Sequence, residues 1–253
     1  MERRPRVALL IDADNAPAAK IDLILNELST FGETSIRRAY GNWKKQELKG
    51  WEEVLHEHAI RPMQQFDYSK GKNASDMAMV IDAMALLYTD QPDAFGIVSS
   101  DADFTPLVMH LREKGAAVYG FGAKKTPEPF VNACSRFLFI DQLRAAAVEA
   151  DEAGDTAGAE AAPLRVPTAQ LKRDAKLVAL LRNAVEAAQD ENGWARVGAV
   201  GQQIANQASF DPRNYGYATL SKLLAATQLF EMAEEGTSRV AVRDRRTGRG
   251  ARA

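Results

Sequence analysis

Residues 7–16 read VALLIDADNA. Five apolar side chains in a row, without a helical interval, suit a short strand buried on both faces. The run then delivers Asp12, Asp14 and Asn15. A strand threaded through a core shows nothing polar until it ends. Two carboxylates and an amide are thus placed at the edge of a sheet, where a site belongs. Residues 96–104, GIVSSDADF, repeat the arrangement, with Ile97 and Val98 leading into Ser99, Ser100, Asp101 and Asp103.

Further apolar runs fall at residues 36–40, 60–66, 94–98, 116–121 and 137–140. Amphipathic stretches separate them. Ile21, Ile24, Leu25 and Leu28 recur at helical spacing, and so do Met77, Val80, Ile81 and Met84, expected to pack on the sheet. A third helix is predicted after Asp103, with Pro106 in its first turn and Gly115 just past its end. Strands alternating with helices predict an α/β domain with a mostly parallel sheet. Ligands of such sheets collect beyond the carboxyl ends of the strands, where the strand order reverses. If the strands ending at residues 11 and 98 are central, their acids meet there. Asp76, in KGKNASDMAMV, stands in the first turn of its helix and off the predicted apolar face, so it leans over the same crevice.

Carboxylates gathered in this way repel one another unless something neutralises them. Oxygen donors without a Cys or His cluster suit a hard divalent cation, Mg²⁺ or Mn²⁺. The single cysteine, Cys134, excludes an intrachain disulfide and a cysteine zinc site, and fits a reducing cytoplasm. Asn15 is suited to orient a water or a phosphate oxygen. YGNWKK, SKGKN and GAKK fall on the same edge and point to a phosphate-bearing substrate. Lys44, Lys45 and Lys72 are the expected backbone contacts, Trp43 with Tyr40 the expected base-stacking group, and Ser100 a further substrate contact. Plainer roles exist for single residues. Asp14 and Asp103 each fit a helix N-cap, and Asp82 fits a structural hydrogen-bonder. Lys44, Lys45 and Lys49 fit a solvated helix face, His56 and His58 a helix end, and Cys134 a packed side chain.

Beyond residue 148, EADEAGDTAGAEAAP carries five acids, no base and no large apolar residue, the composition of a linker. Leu177, Val178, Leu180, Leu181, Ala184, Val185 and Ala188 then mark a helix, residues 197–206 and 217–227 two more, and a hairpin is expected around Glu235 and Gly236. Three helices and a hairpin fit a winged helix-turn-helix. From residue 163 on there are 14 Lys and Arg against 9 Asp and Glu. The expected boundaries are a first domain at 1–144, a linker at 145–166, a winged helix at 167–243 and an arginine-rich tail at 244–253.

LLIDADNA, KNASDMAMVIDAM and GIVSSDADFTPLV resemble, in order and spacing, the three acidic motifs of the NYN domain, the LabA-like branch of the PIN-like nucleases. The resemblance implies a Rossmann-like PIN fold and an Mg²⁺- or Mn²⁺-dependent site that cleaves RNA. It places Asp12 and Asn15 in the first motif, Asp76 in the second, and Asp101 and Asp103 in the third, with Asp82 matching a further acid of this branch. Ala13 and Ala102 stand where relatives often have glycine. The later segment, through LVALLRNAVEA, VGAVGQQIANQ and FDPRNYGYATLSKLLAATQLFEM, resembles the OST-HTH or LOTUS domain, which implies binding of RNA or of a protein partner.

The expected function is therefore a cytoplasmic metal-dependent ribonuclease. Asp12, Asp76, Asp101 and Asp103 are its expected ligands, and in-line attack by water would leave a 5′-phosphate. A catalytically inactive RNA-binding regulator is the alternative. A haloacid-dehalogenase-like phosphatase using Asp12 as nucleophile fits less well, because that family wants Thr or Val where Asn15 stands. No apolar run reaches the roughly 18 residues of a membrane span.

Overall fold

The computed structural model describes residues 3–66, 73–141, 143, 165–234, 236–237 and 239–246. Lys72, most of the expected linker and tail residues 247–253 lie outside them. The chain forms two compact units, Met1–Val148 and Glu149–Ala253.

In the first unit, the described residues form a six-stranded sheet in the order β3-β2-β1-β4-β5-β6. The strands are β1 (Arg6–Asp12), β2 (Glu33–Gly41), β3 (Arg61–Gln64), β4 (Ala94–Val98), β5 (Ala117–Gly122) and β6 (Arg136–Phe139). Every neighbouring pair is parallel. The order runs one way from β1 to β3 and the other way from β4 to β6, so the switch point lies between β1 and β4. Each of the six apolar runs became a strand.

The two-residue alternation of a strand sorts the core into two layers. Val7, Leu9 and Ile11 face one side, where Ile21, Ile24 and Leu28 of α1 (Ile21–Ser29) pack with Leu55 of α2 (Glu52–Glu57). Ala8 and Leu10 face the other side with Phe95 and Ile97. There they meet Met79, Ala83, Leu86 and Leu87 of α3 (Ala74–Thr89), Leu107, Val108 and Leu111 of α4 (Thr105–Glu113), and Phe130 of α5 (Glu128–Ala133). Helix α4 has Pro106 in its first turn, and the chain leaves it through Gly115 at φ 92°, a left-handed position that glycine adopts without strain.

Helix α3 departs from the predicted face. Met77 and Ile81 are 60% and 66% exposed, while Val80 and Met84 are only partly buried. Residues 74–89, ASDMAMVIDAMALLYT, are apolar on nearly every side, so helical spacing alone does not select a face. Polar anchors select it instead. At about 100° per residue, Asp76 and Asp82 flank the stripe of Ser75, Met79 and Ala83. Asp82 accepts hydrogen bonds from Arg38 and from the fully buried Tyr40, both on β2. This pair of bonds ties α3 to β2, and burial with the adjacent carboxylate holds the Tyr40 hydroxyl far above its ordinary range. Tyr40 is thus a core residue and no base-stacking platform.

The second unit contains α6 (Thr168–Arg173), α7 (Ala175–Ala188), α8 (Val197–Gln207), α9 (Leu220–Thr227) and an antiparallel sheet in the order β7-β9-β8. Its strands are β7 (Ala195–Arg196), β8 (Phe230–Ala233) and β9 (Ala241–Asp244). Leu177, Leu181, Val200, Ile204, Leu223, Leu224, Phe230 and Val242 build its core. Asp174 caps α7 through the amide of Leu177 at 3.0 Å. The predicted hairpin is β8–β9. Helix α6 was missed in the sequence because six residues with one buried side chain, Leu171, show no periodicity. Tyr217 precedes α9 rather than opening it, and its hydroxyl donates to the Val166 carbonyl at 2.9 Å.

Removing Asp82 leaves the Tyr40 hydroxyl and the Arg38 guanidinium without their acceptor. Asp82→Ala is expected to cost about 2–4 kcal/mol in urea unfolding. Tyr40→Phe, which leaves the ion pair intact, should cost about 1 kcal/mol. Equal losses would show that the ion pair adds nothing.

Candidate active site

β1 ends in Asp12, which is 1% exposed. Because Ala8 and Leu10 face the α3–α4 layer, Asp12, in the same alternation, faces it too. In the β1–β4 register Ile11 lies beside Val98, so the next step sets Asp12 against Ser99. Ser99 is 1% exposed and donates to Asp12 Oδ2 at 2.8 Å. The Asn15 amide donates to the same oxygen at 2.8 Å. Oδ1 of Asp12 is buried and has no hydrogen-bond partner among the described residues. Burial raises the Asp12 carboxyl above its ordinary range, and the bonds from Asn15 and Ser99 offset this in part.

The second acidic strand end is fastened to the first through Ser99, whose hydroxyl also accepts from the Asp101 amide at 3.1 Å. Asp101 caps the short 3-10 turn Ala102–Phe104, accepting from the Asp103 amide at 2.9 Å. The cap at this helix entry is thus Asp101 and not Asp103, because α4 begins only after that extra turn. Asp103 Oδ2 lies 3.5 Å from the Asn73 amide nitrogen. Asp14 caps no helix either. It pairs with Lys45 at 3.3 Å and accepts from Ser75 at 3.2 Å.

Asp76 stands in the first turn of α3, beside Ser75. Its carboxyl is pushed up to about 6, first by burial and then by repulsion from Asp12, Asp101, Asp14 and Asp103. Carboxylates from three separate sequence motifs therefore share one field. Among the described residues, no three His, Cys, Asp or Glu side chains are drawn together as ligands of one ion.

Of the expected substrate contacts, Lys44 lies with its ammonium 5.0 Å from the centre of the Phe66 ring. Lys45 is paired to Asp14. Trp43 is partly buried against the core, and its Nε1 is buried with no hydrogen-bond partner among the described residues. The Ser100 hydroxyl accepts from the Ala123 amide at 2.8 Å, tying the β4 and β5 ends together. Lys72 lies outside the described residues. The residue missed in the sequence is Ser99. Strand parity was the signal, since it shares a face with Phe95 and Ile97 whereas Ser100 does not. His58 pairs with Asp22 at 3.2 Å, and the Cys134 thiol is buried, pushed up to about 12 by its burial.

The folded chain holds the Asp76 proton more tightly than an unfolded chain, whose carboxyl titrates near 3.8. Stability is therefore lost as pH rises from about 4 through about 6, and the loss persists above that window. Asp76→Asn is expected to be stabilising by about 1–3 kcal/mol at pH 7.5 and near neutral at pH 4, in metal-free thermal melts. An equal effect at both pH values would exclude the cost of the buried, ionised carboxylate as the cause.

A profile of the NYN domain matches residues 6–141, and one of the OST-HTH/LOTUS domain matches residues 171–242. An uncharacterized protein of Methanocaldococcus jannaschii is 31% identical over 123 residues, covering 47% of this chain and 48% of that protein, so the chain spans about half the length of this relative. A crystal structure of a protein of unknown function from Vibrio parahaemolyticus is 18% identical with a TM-score of 0.46, covering 56% of this chain and 96% of that one. No helix among the described residues is long and apolar enough to cross a membrane. With two acidic motifs at strand ends, a third at the start of α3 and more than half its length matched, the chain belongs to the NYN family, within the PIN-like nucleases, and carries an OST-HTH/LOTUS domain after it.

Proposed function

We propose that the chain is a metal-dependent ribonuclease that hydrolyses RNA phosphodiester bonds at the acidic sheet edge, with the OST-HTH/LOTUS unit as its RNA-binding module. The observation that carries this reading is Asp12. One oxygen is pinned by Ser99 and Asn15, and the other is buried with no hydrogen-bond partner among the described residues, in the field that Asp76 shares with Asp12, Asp101, Asp14 and Asp103. A buried oxygen left uncompensated in an anionic field fits a cation, and a donor set of carboxylates fits a hard one. Asp12, Asp76, Asp101 and Asp103 would hold Mg²⁺ or Mn²⁺, which supplies charge neutralisation and Lewis acidity toward a phosphate.

The chain's own groups define the rest. Ser99 and Asn15 keep the Asp12 carboxylate from rotating, and Asn15 also offers its carbonyl oxygen to water. Asp101 is held by the amide it caps. Lys44, Lys45 and Lys72 meet the substrate backbone, with a phosphate at Lys45 competing against Asp14. In the second unit several arginines are already paired, Arg213 with Asp211 and Arg246 with Asp244, so its phosphate contacts fall to other cations such as Lys222 and Arg239. The domain boundaries fitting this reading are 1–144 and 167–243, joined through 145–166 and followed by the tail at 244–253. A cytoplasmic location fits an RNA substrate.

Purified protein and Asp101→Asn, incubated with labelled single-stranded and structured RNA and with matched DNA, give the test. RNA cleavage should require Mg²⁺ or Mn²⁺, stop with EDTA, and fall about 100-fold or more in Asp101→Asn while its circular dichroism is unchanged. Binding without any cleavage by either protein would make the chain an RNA-binding regulator instead.

A further inference from the structure

Trp43, the aromatic that the sequence offered as a base-stacking group, is packed partly buried against the core. A different aromatic is exposed on the same sheet edge. Phe66 is 47% exposed and follows the carboxyl end of β3 by two residues. All six strands run parallel, so this end of β3 lies on the edge that carries Asp12 and Asp101. β3 is two places from β1, a lateral step of about 10 Å.

Phe66 is held in place by its neighbours. The Gln64 amide donates to Asn42 Oδ1 at 3.0 Å and to its neighbour's carbonyl, Gln65 O, at 2.9 Å, while Gln64 Oε1 accepts from the Trp43 amide at 3.1 Å. The Gln65 amide donates to the Gly41 carbonyl at 3.0 Å. These bonds clamp the loop after β2 to the segment after β3. The clamp brings Lys44 over one face of the Phe66 ring, 5.0 Å from its centre. The next residue along the loop, Lys45, reaches Asp14, and Asp14 accepts from Ser75 beside Asp76. A continuous path thus leads from an exposed ring, past two ammonium groups, to the carboxylates.

An exposed apolar ring with a cation over one face and its other face available, at the edge of an anionic site, is out of place as packing. It suits a ligand with a flat apolar face and an attached anion. Each nucleotide of a single strand is such a ligand, since any base can stack while its phosphate meets a lysine. We propose that Phe66 and Lys44 form a stacking subsite for an unpaired nucleobase beside the scissile phosphate, so that the site selects single-stranded RNA. The subsite rests on the ribonuclease reading for its place next to the cleaved bond. A base held in a duplex is stacked on its neighbours already and gains nothing here.

The test uses the full-length chain carrying Asp101→Asn, so that RNA is held uncut, and short single-stranded RNAs with 2-aminopurine at successive positions. One or two adjacent positions are expected to be quenched. Quenching should disappear when Phe66→Leu is added and persist with Phe66→Trp. In the cleaving chain, Phe66→Leu should lower kcat/KM about 5- to 100-fold on intact RNA, as for loss of one base stack. On RNA made abasic at the quenched position, the same substitution should change kcat/KM by less than about twofold, because the partner is already gone. Cleavage by the parent chain with no Phe66-dependent quenching at any position would sink the subsite and leave the ribonuclease reading standing. Phe66-dependent quenching without cleavage by the parent chain would sink the ribonuclease reading and retain the stacking site. Neither signal would remove both.

Discussion

A carboxylate with half its hydrogen-bonding capacity satisfied, buried at the switch point of a parallel sheet, is the constraint to which the first unit is built. Asp12 is removed from water, and Ser99 and Asn15 compensate only one of its oxygens. The cost of burying the other is of the order of 1–3 kcal/mol even before its charge is counted. A fold evolved for stability alone has a cheaper choice at this position, since any apolar residue would continue the strand. The surroundings nonetheless hold the carboxylate in place. Ser99 is itself positioned by the neighbouring strand, where Gly122 passes so close that an added Cβ would stand 2.6 Å from the Ser99 carbonyl oxygen. A glycine on β5 is thus required so that the serine just past β4 can hold an aspartate on β1.

That arrangement explains which features were legible in the sequence. Strand positions were readable because fully buried strands are continuous apolar runs, and six such runs became the six strands. Convergence of the acids was readable because parallel strands all end on one side. The face of α3 was not. A helix apolar nearly all round carries no usable periodicity, and its rotation is decided by Asp82 reaching Arg38 and Tyr40 across the layer. Ser99 and Ser100 are adjacent hydroxyls with opposite fates. Strand parity distinguishes them, but only once β1 and β4 are known to be neighbours, a pairing that no local pattern states. Trp43 was misplaced for a similar reason, since the cluster it packs against is assembled from β1, β2 and the segment around Leu48 and Trp51, which no local pattern joins.

The same reasoning separates two kinds of charge in the first unit. Asp82 is neutralised by groups of the chain itself, and so is Asp14 through Lys45. Asp12, Asp76 and Asp101 have hydroxyl, amide or backbone partners or one another, and no cationic side chain within ion-pair distance among the described residues. Carboxylates meant for structure bring their own countercharge. Those left without one share a field, and the Asp76 carboxyl is raised first by its own burial and then by that field.

An acidic pocket is a poor receptor for a polyanion. At neutral pH the strand ends would repel RNA, and two lysines at their margin offset only part of that repulsion. On the proposed ribonuclease reading, affinity for RNA comes from elsewhere in the chain, and the residues from 163 on carry five more cations than anions. Cations that contact phosphates bind without reading sequence, and their contribution weakens as salt rises. On that reading, joining such a segment to the acidic unit in one chain would raise the local concentration of RNA at the carboxylates with no new contact there. The acids are then free to be arranged for a cation and for the reacting phosphate, rather than for holding the strand.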